Sequence, residues 1–131
     1  MTPAKSVLTA YVAAVEAGDA DALRDSFAPD ATWTLAGELP ISGTWKGRDA
    51  ILDEFLAKAM SHYEPGSVRL EITGMIAEGD HVALQWTSRA RTLDGSPYEN
   101  ECIGVFTVRD GTIRAVHEYM DTQYAYRALV R

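Results

Sequence analysis

The amino-acid sequence predicts a single α+β domain in which N-terminal helices pack on a curved, mainly antiparallel sheet. Its 131 residues are enough to fill one hydrophobic core and too few for two. Apolar residues recur at helical spacing in the first half of the chain, and they alternate with polar residues from Val68 onward. Helices that precede a run of antiparallel strands are typical of the α+β class, and such a sheet leaves a cavity where it curls around its helices. We therefore treat residues 1–131 as one domain.

The first half of the chain predicts three helices and one strand. The first helix should end at Gly18, because glycine favours the left-handed conformation that closes a helix. Asp19 can cap a short second helix that continues until Pro29. Residues 31–35 have the β-branched and aromatic content of a strand, and a third helix is predicted over residues 44–60. The apolar stripes of the first and third helices are Val7, Leu8, Tyr11, Val12 and Val15, and Ile51, Leu52, Phe55, Leu56 and Met60.

Four strands are predicted in the second half, because apolar and polar residues alternate there in four runs. The runs cover residues 67–78, 81–92, 98–108 and 112–120. They are separated by Glu78-Gly79-Asp80, Asp94-Gly95 and Asp110-Gly111. Asp-Gly between alternating runs is a strong hairpin signal, so the four strands should form an antiparallel meander.

The composition argues against several classes of protein. Nineteen acidic residues against twelve basic residues give a net charge of -7. Because this charge has the wrong sign for phosphate backbones and anionic membranes, we expect neither nucleic acid nor a membrane as a partner. No run approaches the roughly 18 apolar residues of a membrane span. Cys102 is the only cysteine and the N-terminal region lacks an apolar signal segment, which together favour the cytoplasm.

Three segments resemble the nuclear transport factor 2-like superfamily, namely YVAAVEAGDADALRDSFAPDATWTL, GTWKGRDAI and VFTVRDGTIRAVHEYMD. Within that superfamily the chain is similar to ketosteroid isomerase, limonene epoxide hydrolase and the SnoaL-like polyketide cyclases. The resemblance covers nearly the whole chain and implies a cone-shaped α+β barrel with an apolar cavity, which forms a homodimer. The motifs are specific for the fold rather than for an activity, since the superfamily contains isomerases, hydrolases, cyclases and binding proteins.

Three catalytic patterns of these relatives can be compared with the chain. The tyrosine of ketosteroid isomerase matches Tyr11, but the base position falls at Leu35 and the second acid falls near Ile103. The last-strand acid of limonene epoxide hydrolase matches Glu118, whereas its Arg-x-Asp pair lands on residues 87–91, which contain no aspartate. In the SnoaL-like cyclases a single acid on the last strand serves as acid and base, and Glu118 again matches. The cyclase pattern is the one that the chain does not contradict.

The predicted register of the last hairpin gives Glu118 an apolar setting. With Asp110-Gly111 as a two-residue loop, Ile103 lies opposite Glu118. Two residues further along, Glu101 lies opposite Met120. A carboxylate on such a face is desolvated, which raises its pKa and suits it to general acid/base catalysis near neutrality. The alternative is that this face is the outer one, where Glu118 is simply solvated.

Tyr11 lies on the apolar stripe of the first helix, so its hydroxyl should point inward. A phenol there stays protonated at neutral pH and can donate a hydrogen bond to a substrate carbonyl; the alternative is a core tyrosine bonded to the backbone.

Further contacts to a ligand are expected from large apolar residues and from one acid. They are Trp33, Leu35, Phe55, Met60, Trp86, Glu101, Ile103 and Met120.

Other polar residues are set aside or left open. Cys102 is expected to pair with Tyr119, on the face opposite Glu118, as a buried inert thiol. The register leaves open whether Arg89 and Arg91 point inward or outward. We expect no metal and no other cofactor, because the histidines lack the paired spacing of ligands. The histidines are His62, His81 and His117.

The sequence therefore predicts a cofactor-independent enzyme of the isomerase, polyketide cyclase or epoxide hydrolase kind. It would act on a small hydrophobic molecule, with Glu118 as acid/base and Tyr11 as hydrogen-bond donor. The alternative is a non-catalytic module of the same fold that binds a small ligand or docks a protein. A homodimer is expected through the outer face of the sheet, which bears Ile113, Ala115 and Tyr119.

Overall fold

Helices and strands follow one another in nearly the order that the sequence predicts. The structure is a computed structural model, and it describes residues 2–130. Its helical segments are α1 (Pro3–Ala17), α2 (Ala20–Ser26), α3 (residues 48–60) and α4 (residues 122–130). Its strands are β1 (Phe27–Leu35), β2 (Gly43–Lys46), β3 (Arg69–Glu78), β4 (His81–Arg91), β5 (Pro97–Arg109) and β6 (Thr112–Met120).

The six strands form one mixed sheet in the order β2-β1-β6-β5-β4-β3. Among neighbouring strands β1 and β6 run parallel, and the other pairs are antiparallel. Helix α1 contacts β3, β4 and β5, whereas α3 contacts β1 and β2. The core between these layers is built around Leu8, Phe27, Ile51, Leu84 and Phe106. This arrangement confirms the predicted α+β class with helices on one face of a mainly antiparallel sheet.

The last two helical segments each contain a wider, π-helical stretch. In α3 it is Ile51–Leu56, which lies between the α-helical Arg48–Ala50 and Ala57–Met60. In α4 the α-helical Thr122–Ala125 continues into the π-helical Tyr126–Val130. Both stretches contribute side chains to the cavity described below, and π-helical turns are frequent at functional sites. Within the described residues no helix is long and apolar enough to cross a membrane.

The helix and hairpin signals at three positions are confirmed. Gly18 closes α1 in the left-handed conformation, with φ 66°. Asp19 caps α2, and its Oδ1 accepts a hydrogen bond from the backbone N–H of Ala22 at 3.1 Å. The Asp110-Gly111 turn has positive φ at both residues, 53° and 79°, as a tight two-residue hairpin requires.

Two boundaries near the start of the sheet differ from the prediction. Strand β1 begins at Phe27, four residues earlier than predicted, so α2 is correspondingly short. Residues 43–46 form β2 instead of the first turn of the third helix, and Trp45 pairs with Trp33 on β1. Strand β1 offers an open edge to this segment, and cross-strand pairing outweighs local helix propensity there.

A β-bulge at Arg114 changes the register of the last hairpin. Thr107 on β5 pairs with Ala115 on β6. The next residue on β5, Val108, pairs with Ile113, so Arg114 has no partner across the ladder. A one-residue bulge exchanges the two faces of one strand relative to the other for all pairs beyond it.

The bulge corrects the predicted pairing around Glu118. Glu118 lies opposite Gly104 instead of Ile103, and Met120 lies opposite Cys102 instead of Glu101. The side chains of Glu101 and Ile103 therefore lie on the outer face of the sheet. The thiol of Cys102 lies on the inner face with Glu118, contrary to the prediction.

The outer face of the sheet carries exposed apolar side chains. Ile76, Ala83 and Val105 are neighbours across β3, β4 and β5, and Tyr119 is half exposed on β6. Ile113, which was expected on this face, is fully buried because it precedes the bulge. A homodimer through this face stays a prediction, and sedimentation equilibrium at twice the mass of the chain would bear it out.

The two arginines whose direction the sequence left open both bond to exposed groups near the end of β4. Arg89 donates to Glu71 at 2.6 Å and to Glu99 at 2.8 Å. Arg91 donates to the carbonyl oxygen of Gly95 at 3.3 Å. Because Arg89 has two exposed carboxylate partners of its own, it does not neutralise the charge of the buried acid on β6.

Candidate active site

A cavity of about 430 Å³ lies between the helices and the inner face of the sheet. Six of the residues predicted to contact a ligand line it: Trp33, Leu35, Phe55, Met60, Trp86 and Met120. The rings of Trp33 and Phe55 are 5.3 Å apart, and Trp45 packs against Phe55 at 5.7 Å. The wall is therefore mainly apolar and aromatic, which suits a flat apolar ligand.

Two residues predicted to contact a ligand lie elsewhere. Glu101 is exposed and Ile103 is half buried, both on the outer face of β5. Their prediction was wrong because the bulge at Arg114 shifts the hairpin register by one residue. Cys102 lines the cavity in their place, and burial raises the pKa of its thiol to about 12, so the thiol stays protonated at neutral pH.

Glu118 is the single carboxylate among the described residues that line this cavity. It lies in the middle of the sheet, between β1 and β5, and is only 7% exposed. The indole Nε1 of Trp33, on the neighbouring strand β1, donates a hydrogen bond to Glu118 Oε1 at 3.0 Å. No group among the described residues bonds the second carboxylate oxygen, Oε2, so that oxygen is available to a ligand.

The protonation of Glu118 is set by two opposing effects. Burial raises the pKa of its carboxyl to about 7, and the hydrogen bond from Trp33 acts in the other direction because it stabilises the carboxylate. Near neutral pH both the protonated and the ionised forms are populated. A carboxyl group in this state can remove a proton from a ligand and return it, which is the property that a general acid/base needs.

Replacement of Trp33 by phenylalanine is expected to raise the pKa of Glu118 further, by about one pH unit. The ring remains apolar, but the carboxylate loses its hydrogen-bond donor. The carboxyl ¹³C shift of Glu118, followed by NMR in glutamate-labelled protein, reports this titration directly. Trp45→Phe is the matched control, since Trp45 donates to the Ile41 carbonyl instead. An unchanged midpoint in Trp33→Phe would contradict the assigned role of the indole.

Tyr11 lies on α1 with its ring in the aromatic wall and is 5% exposed. The ring packs on Phe27 at 5.7 Å and on Phe106 at 6.0 Å. Its hydroxyl lines the cavity and has no hydrogen-bond partner among the described residues. Burial, and then the charge of Glu118, raise the pKa of Tyr11, so the phenol keeps its proton and can donate a hydrogen bond to a ligand.

The sequence did not predict two tyrosines that line the cavity, Tyr63 and Tyr98. Tyr63 lies in the turn that follows α3, and Tyr98 lies on the inner face of β5. A correct register would have identified Tyr98, because it alternates inward with Cys102. No sequence pattern indicates the position of Tyr63, since that residue lies outside the helices and the main strands.

The three histidines lie in different parts of the fold. Within residues 2–130, no three side chains of His, Cys, Asp or Glu are grouped so that they could hold a metal ion. His62 lines the cavity, whereas His81 and His117 are exposed on the sheet. The residues that line the cavity therefore include a carboxyl, an imidazole, several phenols and a thiol.

Comparison with known proteins places this architecture among characterised folds. The SnoaL-like domain family matches residues 8–116 of the chain. A nuclear transport factor 2-like protein of unknown function from Burkholderia pseudomallei has a TM-score of 0.88 at 19% identity, over 100% of both chains. TerC, co-crystallised with polyporic acid, has a TM-score of 0.84 at 26% identity, over 98% of both chains.

A third structure with this fold carries a small bound molecule. It is a protein of ketosteroid isomerase-like fold from Catenulispora acidiphila in complex with trimethylamine. Its TM-score is 0.73 at 24% identity, and the match covers 86% of this chain and 83% of that chain. Among curated proteins, none matches the chain.

Proposed function

The chain belongs to the SnoaL-like domain family, and from this premise we propose that it is a cofactor-independent enzyme that transfers a proton on a small hydrophobic carbonyl compound. Glu118 is the acid/base, and Tyr11 is the hydrogen-bond donor. The observation that carries the proposal is the position of Glu118. It is a nearly buried carboxyl in an apolar cavity, with one oxygen held by Trp33 and the other free.

The proposed reaction begins at the carbonyl group of the substrate. Tyr11 donates to the carbonyl oxygen, and Glu118 removes a proton from the adjacent carbon, whose electron pair passes into an enolate. If Glu118 returns the proton to another carbon of the same molecule, the outcome is isomerisation. If the enolate carbon attacks a second carbonyl of the molecule, Glu118 protonates the new alkoxide oxygen and a ring closes by an aldol-type step.

A single acid/base favours these reactions over epoxide opening. Epoxide hydrolysis by the pattern of limonene epoxide hydrolase needs one group to orient water and another to protonate the epoxide oxygen. Glu118 is the one acidic side chain among the described residues of the cavity, and Arg89 is occupied by Glu71 and Glu99. A proton that leaves and returns to the same molecule needs only one carboxyl group.

The shape and lining of the cavity favour binding of a ligand that contains a ring. Its wall combines Trp33, Phe55 and Trp86, and it remains open where these side chains could have filled it. That open space supports binding of a small molecule over the alternative of a protein-docking module. Over the alternative of a non-catalytic ligand-binding module, chemistry is supported by the nearly buried Glu118 carboxyl, which has one oxygen without a partner among the described residues. TerC, which is 26% identical to this chain, was co-crystallised with polyporic acid, and this supports proposing a small organic ligand here as well.

The proposal is tested with 2-tetralone, a flat apolar ketone whose protons beside the carbonyl exchange with solvent after enolisation. The protein should accelerate incorporation of deuterium from D₂O, followed by ¹H NMR. The rate should rise with pH until Glu118 is ionised, with a midpoint near its pKa of about 7. A rate no faster than that with an equal concentration of free carboxylate buffer would overturn the proposal.

Tyr11→Phe is expected to lower this exchange rate about 100-fold, because the variant loses the donor to the developing enolate oxygen. Phenylalanine preserves the ring packing against Phe27 and Phe106. Tyr119→Phe, on the exposed outer face, is the matched control and should exchange at the wild-type rate. Equal rates in the two variants would show that the Tyr11 hydroxyl has no part in the reaction.

A further inference from the structure

Two tyrosines, Tyr63 and Tyr98, lie close together in the wall of the cavity. The ring centroids of Tyr63 and Tyr98 are 5.3 Å apart. Tyr98 is 4% exposed, and both residues line the cavity that contains Glu118. The backbone of Tyr63 is fixed by a bridge to Thr92, so the pair joins the turn after α3 to strand β5.

The hydrogen bonds of Asn100 determine what the Tyr98 hydroxyl can do. Asn100 Oδ1 accepts from the backbone N–H of Asp121 at 3.3 Å, and Nδ2 donates to the Asp121 carbonyl oxygen at 3.1 Å. These two contacts fix the orientation of the amide. The second hydrogen on Nδ2 is then directed at the Tyr98 oxygen, at 3.0 Å, so Tyr98 must accept this bond.

A count of hydrogens shows that the two tyrosines have at least one O–H hydrogen without an acceptor among the described residues. Two phenols bring two O–H hydrogens, and a hydrogen bond between them would use only one. Asn100 supplies its own hydrogen and takes none from the pair. No other acceptor among the described residues bonds either hydroxyl. At least one O–H hydrogen of the pair is therefore left for a ligand.

This donor is stable at neutral pH. Burial raises the pKa of both phenols, and for Tyr63 the charge of Glu118 adds to the effect. A nearly buried phenol hydrogen without an acceptor is costly, and a ligand oxygen would relieve that cost.

We propose that the Tyr63–Tyr98 pair is a second ligand-binding position, which selects molecules with an additional oxygen acceptor away from the reacting group. The inference deepens the proposed function and rests on it for the position of the reacting oxygen at Tyr11 and Glu118. The ligand class is a flat, apolar ring system that carries two separate oxygen functions. The first is the reacting carbonyl, and the second is a carbonyl, ether or phenol oxygen that accepts from the tyrosine pair.

The test is equilibrium binding of 2-naphthol and of the isomeric dihydroxynaphthalenes, measured by isothermal titration calorimetry at pH 6. At least one dihydroxy isomer should bind the wild-type protein about 3- to 10-fold more tightly than 2-naphthol, which is the gain expected for one neutral hydrogen bond. The Tyr63→Phe/Tyr98→Phe double variant should lose that gain and bind 2-naphthol within about twofold of wild type.

The single variants give a second, sharper outcome. Tyr63→Phe leaves the Tyr98 hydrogen free, and Tyr98→Phe leaves the Tyr63 hydrogen free, so each should retain most of the gain that the double variant loses. Tyr124→Phe is the control, because Tyr124 stacks on Tyr98 while its hydroxyl accepts from the backbone N–H of Glu99 outside the cavity.

Three results would overturn the inference: no isomer gains over 2-naphthol, the gain survives in the double variant, or none of these compounds binds. The experiment measures binding without turnover. Its failure is therefore distinguishable from failure of the proposed function, which is tested by deuterium exchange.

Discussion

Glu118→Gln is expected to lower the rate of deuterium exchange into 2-tetralone about 1000-fold while its affinity for the ketone stays within tenfold of wild type. The amide has nearly the same shape as the carboxyl group, and its oxygen can still accept from Trp33 Nε1. It cannot take up a proton from carbon at neutral pH. Single-turnover exchange and equilibrium binding, measured on the same preparation, separate the two effects.

The matched control is Glu101→Gln. Glu101 is the acid that the sequence placed in the cavity and that the structure places on the exposed outer face of β5. The same chemical change there should leave both the rate and the affinity as in wild type. If Glu118→Gln retained more than a tenth of the wild-type rate, or if Glu101→Gln lost activity to the same degree, the assignment of Glu118 would be wrong.

The sequence could predict the fold, and also that Tyr11 and Glu118 point inward, because local signals indicate both. Gly18 and Asp19 mark helix ends by backbone conformation and capping, and these effects act within a few residues. The alternation of apolar residues reveals the strands. Tyr11 was predicted from its place in the family motifs and on the apolar stripe of the first helix. Glu118 was predicted from its place in the family motifs and among apolar residues of the last strand.

The contents of the cavity were harder to predict, because they depend on register. One unpaired residue, Arg114, moves Glu101 and Ile103 to the outer face and brings Cys102 inward. Nothing in the Asp110-Gly111 turn reveals a bulge three residues later. The β2 pairing depends in the same way on a tertiary partner, the open edge of β1.

Sequence patterns could not predict contacts between side chains that are far apart in the chain. The bond from Trp33 to Glu118 joins residues 85 positions apart, and it requires the parallel pairing of β1 with β6. That parallel pair is set by the whole sheet order, which no hairpin signal specifies. The tyrosine pair likewise depends on a turn, at Tyr63, that meets β5 only in the folded chain.

Glu118 should make the stability of the folded protein depend on pH. Its carboxyl has a pKa of about 7 in the folded protein against an ordinary value of 4.5. Below pH 4.5 the group is neutral in both states, so burial carries no charge penalty. As pH rises from 4.5 to 7 the unfolded chain ionises first, and the folded state loses about 3 kcal/mol of stability relative to it.

Glu118→Gln should therefore stabilise the protein at high pH. The amide stays neutral, so the free energy of unfolding of the variant relative to wild type should increase by about 3 kcal/mol between pH 4.5 and pH 8.5. Urea unfolding at the two pH values measures this change, and contributions from other titrating groups cancel in the difference. Glu101→Gln makes the same chemical change on the exposed outer face and is the matched control. A pH-independent difference for Glu118→Gln would mean that the Glu118 carboxyl titrates as a solvated group, and the cavity would then hold no general acid/base that is poised near neutrality.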